Sequence, residues 1–505
     1  MNRTTLSLIA GTAALAAVTG FAAIAAPGAS GGTTAKAAAR LPVERTSLLC
    51  PQPSTSDLAE TAYTSFTPVV EDAGDSGEAS LVAVDGETDT EGADGGDEDS
   101  GSKKQKQSAK PVLAAKEPGK PVTGTADGGE SPALIGTAEG RFAPGWTVQQ
   151  TTEVDAGNGR GLLGTNCTAP DTEFWFPGAS TTGDRTDYVH LTNPDDSAAV
   201  VDIELYGKDG ALKTTAEEGV TVQPRSSEPV LLPTLTDASE TDLTVHVSVR
   251  SGRVAAAVQA LDDKLGGDWL AAAADPAGSL VLPGIPEDAA EVRLIAFVPG
   301  DRDADLKVRL ASPTGLITPA GNETLHVKAG MTAAVDLGDV TRGEAGSLVL
   351  TPTDTSVPVV AAVRVVRGKG DGKETAFVPA TRPVDTRASV ADNRAKGTTL
   401  AVTAPEGAAE VKVTASAGSG GGTAVSKTYK IKGGTTQNVD VPVPSGLKGT
   451  YALTVEPVSG GPVYASRTLE AGTDGGAGFT VQTLPDDRGT VAVPEAEQDL
   501  SVLLR

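Results

Sequence analysis

Histidine, cysteine and aromatic side chains are scarce in this sequence, and each shortage removes a class of chemistry. Three histidines and two cysteines in 505 residues give a zinc site no ligand spacing to start from, and two thiols are too few for a disulfide scaffold. Aromatics are 3% of the chain, so its cores must be filled by small and β-branched side chains, which pack pleated surfaces well. Bases are outnumbered, with 41 Lys and Arg against 66 Asp and Glu and a net charge of −25. Such a chain repels polyphosphate, which excludes nucleic acid as a partner. Phosphate-binding loops are missing too. Gly159-Arg160-Gly161-Leu162-Leu163-Gly164 matches the dinucleotide fingerprint by letter, but Thr165, Asn166, Cys167 and Pro170 follow where a helix must start. Residues 418–422 lack the Lys and Ser or Thr of a phosphate loop and read as a hairpin tip.

There is only one long apolar run. Asn2 and Arg3 precede the stretch 6–26, which ends in Ala22-Ala23-Ile24-Ala25-Ala26-Pro27. This is a positive n-region, an apolar h-region and a small-residue exit, and the Ala-x-Ala spacing at Ala23 and Ala25 favours cleavage. The same run, about 21 residues, also spans a bilayer as an uncleaved anchor. Residues 1–27 are therefore a signal peptide or a signal anchor. With no second spanning run, everything from about residue 28 onward is expected outside the cytoplasm, secreted or held to the membrane only by that segment.

What is abundant is alternation. Leu243-Thr244-Val245-His246-Val247-Ser248-Val249 sends Leu and Val to one side and polar residues to the other. Val201, Ile203 and Leu205 alternate with Asp202 and Glu204, and Leu306, Val308 and Leu310 with Lys307 and Arg309. This is the pattern of half-buried strands. The runs also recur in order, with Val254, Val359 and Val463 about 105 residues apart. Trp269-Leu270, Phe377-Val378 and Phe479-Thr480 each close a segment. The expected fold is all-β, with tandem immunoglobulin-like β-sandwich units behind an export helix. A linker covers 28–43 and a degenerate unit 44–170. Full units cover 171–278, 279–385 and 398–505, the last with an extra C-terminal strand, and a linker covers 386–397. Residues 71–131, acidic and then basic with little to bury, read as a disordered insertion in the front unit.

The export signal, the Cys50-Pro51 and Cys167 pair, Phe174-Trp175-Phe176-Pro177-Gly178, Leu191-Thr192-Asn193-Pro194 and Asp268-Trp269-Leu270 together resemble a family of actinobacterial exported proteins of unknown function (domain of unknown function 5719). Those motifs are strand ends. The resemblance implies a role in the cell envelope, near envelope glycosyltransferases, and names no activity.

Candidate sites are few. In the repeat alignment Cys50 opens the front unit and Cys167 closes it, which predicts a disulfide between them; two separate buried thiols are the alternative. His190, His246 and His326 each fall on the polar side of an alternating strand and read as solvated. Asp301, Asp303 and Asp305 sit at alternate positions of a turn, yet Leu306 and Ser312 stand where a calcium loop wants Gly and Glu. No cofactor, metal or catalytic residue is assigned. Trp146, Trp175 and Trp269 sit at strand ends in core-like contexts, which leaves Tyr188 and Tyr206 as a possible ligand patch. The reading is a non-catalytic exported envelope protein, a structural or interaction rod whose partner is an envelope protein or a glycan. The alternatives are a glycan-binding accessory protein of envelope polysaccharide assembly and a hydrolase with an unrecognised site.

Overall fold

Strands with one apolar face and tight Gly, Pro and Asx turns between them leave the chain one economical solution, antiparallel sheets packed in pairs. The computed structural model describes residues 39–84, 110–215, 218–473 and 476–493. Among them every regular element is a strand or a single turn of 3-10 helix, and no helix is long and apolar enough to cross a membrane. The export segment 1–27 and residues 85–109 of the acidic and basic insertion lie outside the described residues.

The second unit shows the plan. Its main strands, first to eighth, are Glu173–Ala179, Arg185–Thr192, Ala199–Gly207, Val220–Val222, Ser227–Leu231, Leu243–Ser251, Ala255–Asp262 and Gly266–Leu270, and the two-residue strand Gly210–Ala211 also pairs with the third. One sheet runs first, sixth, third, fourth; the other runs fifth, second, seventh, eighth. Phe174, Val201, Ile203 and Val247 from the one sheet meet Val189, Leu191 and Val258 from the other in a dry core. The same strand order recurs three more times, within 45–166, 280–379 and 388–483. The front unit, expected to be degenerate, keeps it in full. The recurring valines are explained as well. Val254, Val359 and Val463 are fully buried, and each bridges the residue leading into its unit's first strand: Asp171, Ala277 and Val384.

Three boundary expectations need correction. Ala388–Asn393, inside the expected linker 386–397, is the first strand of the fourth unit. Ala39–Pro42, inside the expected linker 28–43, is a strand that pairs with Thr490–Val493, and these two form a small sheet of their own. Within 71–131, Ala79–Ala83, Leu113–Ala114 and Val122–Asp127 are the third, fourth and fifth strands of the front unit. Composition misled there because two or three apolar positions, such as Leu81 and Leu113 with 0% and 3% exposure, anchor a strand once its neighbours supply the ladder.

The units do not line up as a rod. The four eighth strands, Gly161–Asn166, Gly266–Leu270, Glu374–Pro379 and Gly476–Thr483, each pack on the next, and the last packs on the first. The first strands repeat the arrangement one step further out. Glu173–Ala179 lies on Val360–Arg367, Leu280–Ile285 on Tyr464–Thr473, and Ala388–Asn393 on Thr147–Val154. A file of units has no contact between its ends; these four close a ring. Each seam has an apolar part: Leu49 and Ile135 with Ala255, Trp175 with Phe297 and Val360, Phe479 and Val481 in the third unit's core. The closing seam joins Phe66 to Ala391 and Ala452 and Leu162 to Leu469. Each large side chain so covered contributes about 1.5 to 3 kcal/mol. Cys50 and Cys167 form the disulfide, with Cα atoms 4.4 Å apart, and tie the front unit's first strand to the residue after its eighth.

Candidate functional site

Ring closure buries the polar faces of the seventh and eighth strands, so the polar side chains there must find partners inside the protein. Asp268, on the second unit's eighth strand, has no exposed surface. Its Oδ1 accepts the Gly164 N–H of the first unit at 3.3 Å and the Thr480 hydroxyl of the fourth at 3.0 Å. The amides of Trp269 and of Phe377, in the third unit, lie close enough to favour its charged form, while Oδ2 has no hydrogen-bond partner among the described residues. Burial prevails over these donors and holds the carboxyl well above the usual range. One side chain thus touches all four units at the axis. Gly164 permits this approach, since a Cβ there would stand 2.5 Å from the Thr480 methyl.

His190 lies nearby on the second unit's second strand. It was expected in solvent and is 3% exposed, edge-on to Trp269 with ring centroids 5.2 Å apart. The face of its strand that reads as polar is covered by the neighbouring unit. Neither ring nitrogen has a partner of hydrogen-bond geometry among the described residues, and burial, opposed by the nearby Gln259 side chain, pushes its pKa down to about 4. Arg185 and Asp187, also buried, form a bidentate pair at 2.9 and 2.6 Å, and Asp187 accepts the Ser180 N–H as well. These groups are enclosed by protein and their charges are spent on one another.

The seam between the second and third units carries a further titratable cluster. His246 stacks on Trp175 with ring centroids 3.7 Å apart. Its Nδ1 is 2.7 Å from Glu204, and its Nε2 is 3.4 Å from Glu173 without hydrogen-bond geometry. Tyr206 shares that face, packing on Phe297 at 4.6 Å, and burial followed by the Glu204 charge pushes its hydroxyl up to about 12. No hydroxyl or thiol hydrogen-bonds to His246 among the described residues, so the cluster holds an acid, a base and an aromatic wall without a nucleophile activated between them.

The expected patch does not assemble. Tyr188 is on the sheet that carries His190, 6.2 Å from that ring, and Tyr206 is on the opposite sheet of the same unit. Trp146 is in the front unit's core, donating to Ser65 Oγ at 2.8 Å, whereas Trp175 and Trp269 are seam residues. Asp303 and Asp305 face His326, at 3.6 and 2.8 Å, on an exposed surface. The described residues hold no cluster of three or more His, Cys, Asp or Glu placed to bind a metal ion. Of the glycines that mimic a dinucleotide loop by letter, Gly159 and Gly164 admit the close approach of Leu261 and Thr480, and Gly161 holds a positive φ of 127°. Asp268 was missed as a site residue, although the run Asp268-Trp269-Leu270 had marked the end of its unit.

These features define a class: a ring of four two-sheeted, all-antiparallel β units, with a disulfide that belongs to an oxidising, extracytoplasmic environment. Within that class, the sequence profile of DUF5719, a family of unknown function, matches residues 122–442, and the chain belongs to that family. The match enters at the first unit's fifth strand and ends just past the fourth unit's fifth strand, Thr435–Val439. No curated protein and no solved structure matches the chain.

Proposed function

We propose that this is an exported, non-catalytic protein of the cell envelope, a closed scaffold that binds or spaces other surface components. The observation that carries the reading is where the titratable groups are spent. Asp268, His190 and the Arg185–Asp187 pair are sealed within the ring, and the half-exposed Glu204 is taken up by His246 and Tyr206. The export segment and the disulfide support the compartment. Each unit is read as an immunoglobulin-like sandwich. Its second and fifth strands and its third and sixth are neighbours, as are the B–E and C–F pairs of that fold. Its first strand lies on the sixth and its seventh on the second, so the first and seventh have exchanged sheets.

The reading is tested by crosslinking in intact cells and identifying what is attached to the protein. Recovery of one partner protein, or of envelope glycan, is the expected result. Hydrolysis of envelope polysaccharide by the purified protein, lost on Glu204→Gln, would replace it with the hydrolase reading.

A further inference from the structure

The seam where the fourth unit returns to the first carries two neighbouring cavities, of about 360 and 250 Å³. One wall of each comes from the front unit, segment 116–123 in the first and Phe66, Pro68, Val69 and Gly119 in the second, and the other is the fourth unit. Lys116 and Lys120 line the first cavity opposite Ser419 and Gly420. Gly119 and Val69 line the second opposite Arg387, Lys412, Thr414 and Thr454. Four cations face this space, and three of them are ion-paired, Lys120 with Glu117 at 3.8 Å among them, which leaves one net positive charge, on Lys116, in a chain of net charge −25. Lys116 has no ion-pair partner among the described residues. Lys412 is tied to Glu456 at 3.0 Å and Arg387 to Asp487 at 2.6 Å, which fixes where those charges stand.

The second wall is the face of a sheet. Lys412 and Thr414 come from the third strand, Ala409–Ala415, and Thr454 and Glu456 from the sixth, Tyr451–Gly460. Both strands are interior to their sheet and have a partner on each side, so a peptide cannot add to them as a further strand. What the wall offers is side chains: hydroxyls in rows, with Thr414 paired to Ser426 at 2.8 Å and Thr454 to Ser389 at 3.0 Å. Across from them Val69, 74% exposed, presents an apolar surface. Hydroxyl rows, an apolar wall, the unpaired Lys116 and the positioned Lys412 are the complement of a sugar chain that carries negative charge.

We propose that this closing seam binds an acidic polysaccharide, with Lys116 and Lys412 taking its carboxylate or phosphate groups. This rests on the envelope-binding reading above and gives it a ligand class. The test titrates the intact exported chain with polygalacturonate, neutral dextran and poly-glutamate, for the native protein and for a Lys116→Gln/Lys412→Gln variant whose melting curve is first shown to be native. Polygalacturonate is expected to bind, about tenfold more weakly in the variant and progressively more weakly with added salt, and dextran is not. Equal binding of poly-glutamate would reassign the seam to an acidic protein partner, and unchanged binding by the variant would overturn the site. If polygalacturonate fails to bind while cell crosslinking still recovers a partner, the seam proposal falls and the scaffold reading stands.

Discussion

At the residue scale, the buried titratable groups make stability depend on pH in opposite directions. His190 is neutral in the folded chain, with a pKa near 4 against an ordinary 6.5, so between those values the unfolded state binds more protons and stability falls as pH falls. The gap corresponds to about 3 kcal/mol, present above pH 6.5 and gone below 4. A His190→Gln variant should show a flatter stability profile across that window by urea unfolding. Asp268 acts the other way: its raised pKa keeps the proton in the folded state, so stability falls as pH climbs above the ordinary carboxylate value of 3.8. Asp268→Asn keeps an acceptor and removes that slope. Asp268→Leu leaves the Gly164 amide and Thr480 hydroxyl without one and should cost about 2 to 4 kcal/mol. Arg467 is a standing cost. By register it occupies the place of Val258 and Val363, fully buried with no hydrogen bond on its guanidinium among the described residues, and burial pushes its pKa down to about 10. Replacing such a charge with an apolar side chain of similar size often stabilises, so Arg467→Met is expected to raise the melting temperature, by about 1 to 3 kcal/mol of stability. A lowered one would show that Asp392 and Tyr451, the groups that favour its charge, hold it usefully.

At the scale of elements, much of the strand pattern was legible. Alternation located runs such as 243–249 and 306–310, and the spacing of Val254, Val359 and Val463 marked the repeat, because strand periodicity and turn chemistry are local. The second face of a strand is not local. His190, Gln259 and Thr403 lie on faces that read as polar and are buried nonetheless, since a neighbouring unit covers them. The same blindness hid the third, fourth and fifth strands of the front unit, where composition argued for disorder. The disulfide was legible only through the repeat alignment, which put Cys50 and Cys167 at the two ends of one unit. Its loop of 117 residues gives an upper value of about 4 to 5 kcal/mol in the chain-entropy account. Denaturant titration of a Cys50→Ser/Cys167→Ser variant should approach but not exceed that loss. The eighth strands need their glycines: a Cβ on Gly478 would stand 2.7 Å from the Leu162 Cβ, so Gly478→Val should loosen the closing seam, read as faster amide exchange in Gly161–Asn166 and Gly476–Thr483 than in the second unit's core strands.

At the scale of the whole molecule, closure of the four units into a ring governs the rest. Nothing in a repeat of about 105 residues tells a row from a ring, because the difference lies in contacts between the first and fourth units, distant in sequence. Closure turns the polar faces of the inner strands into seams, places Asp268 among all four units and creates the cavities that Lys116, Lys120 and Lys412 line. The most direct measurement is amine crosslinking of the purified, monomeric protein with a short reagent, followed by mapping of the joined lysines. A ring predicts intramolecular links from Lys116 or Lys120 to Lys412 or to Lys448, which packs on the cavity residue Gly420. A row of units would contradict it by giving links within units and between neighbours in sequence, with none joining the first unit to the fourth.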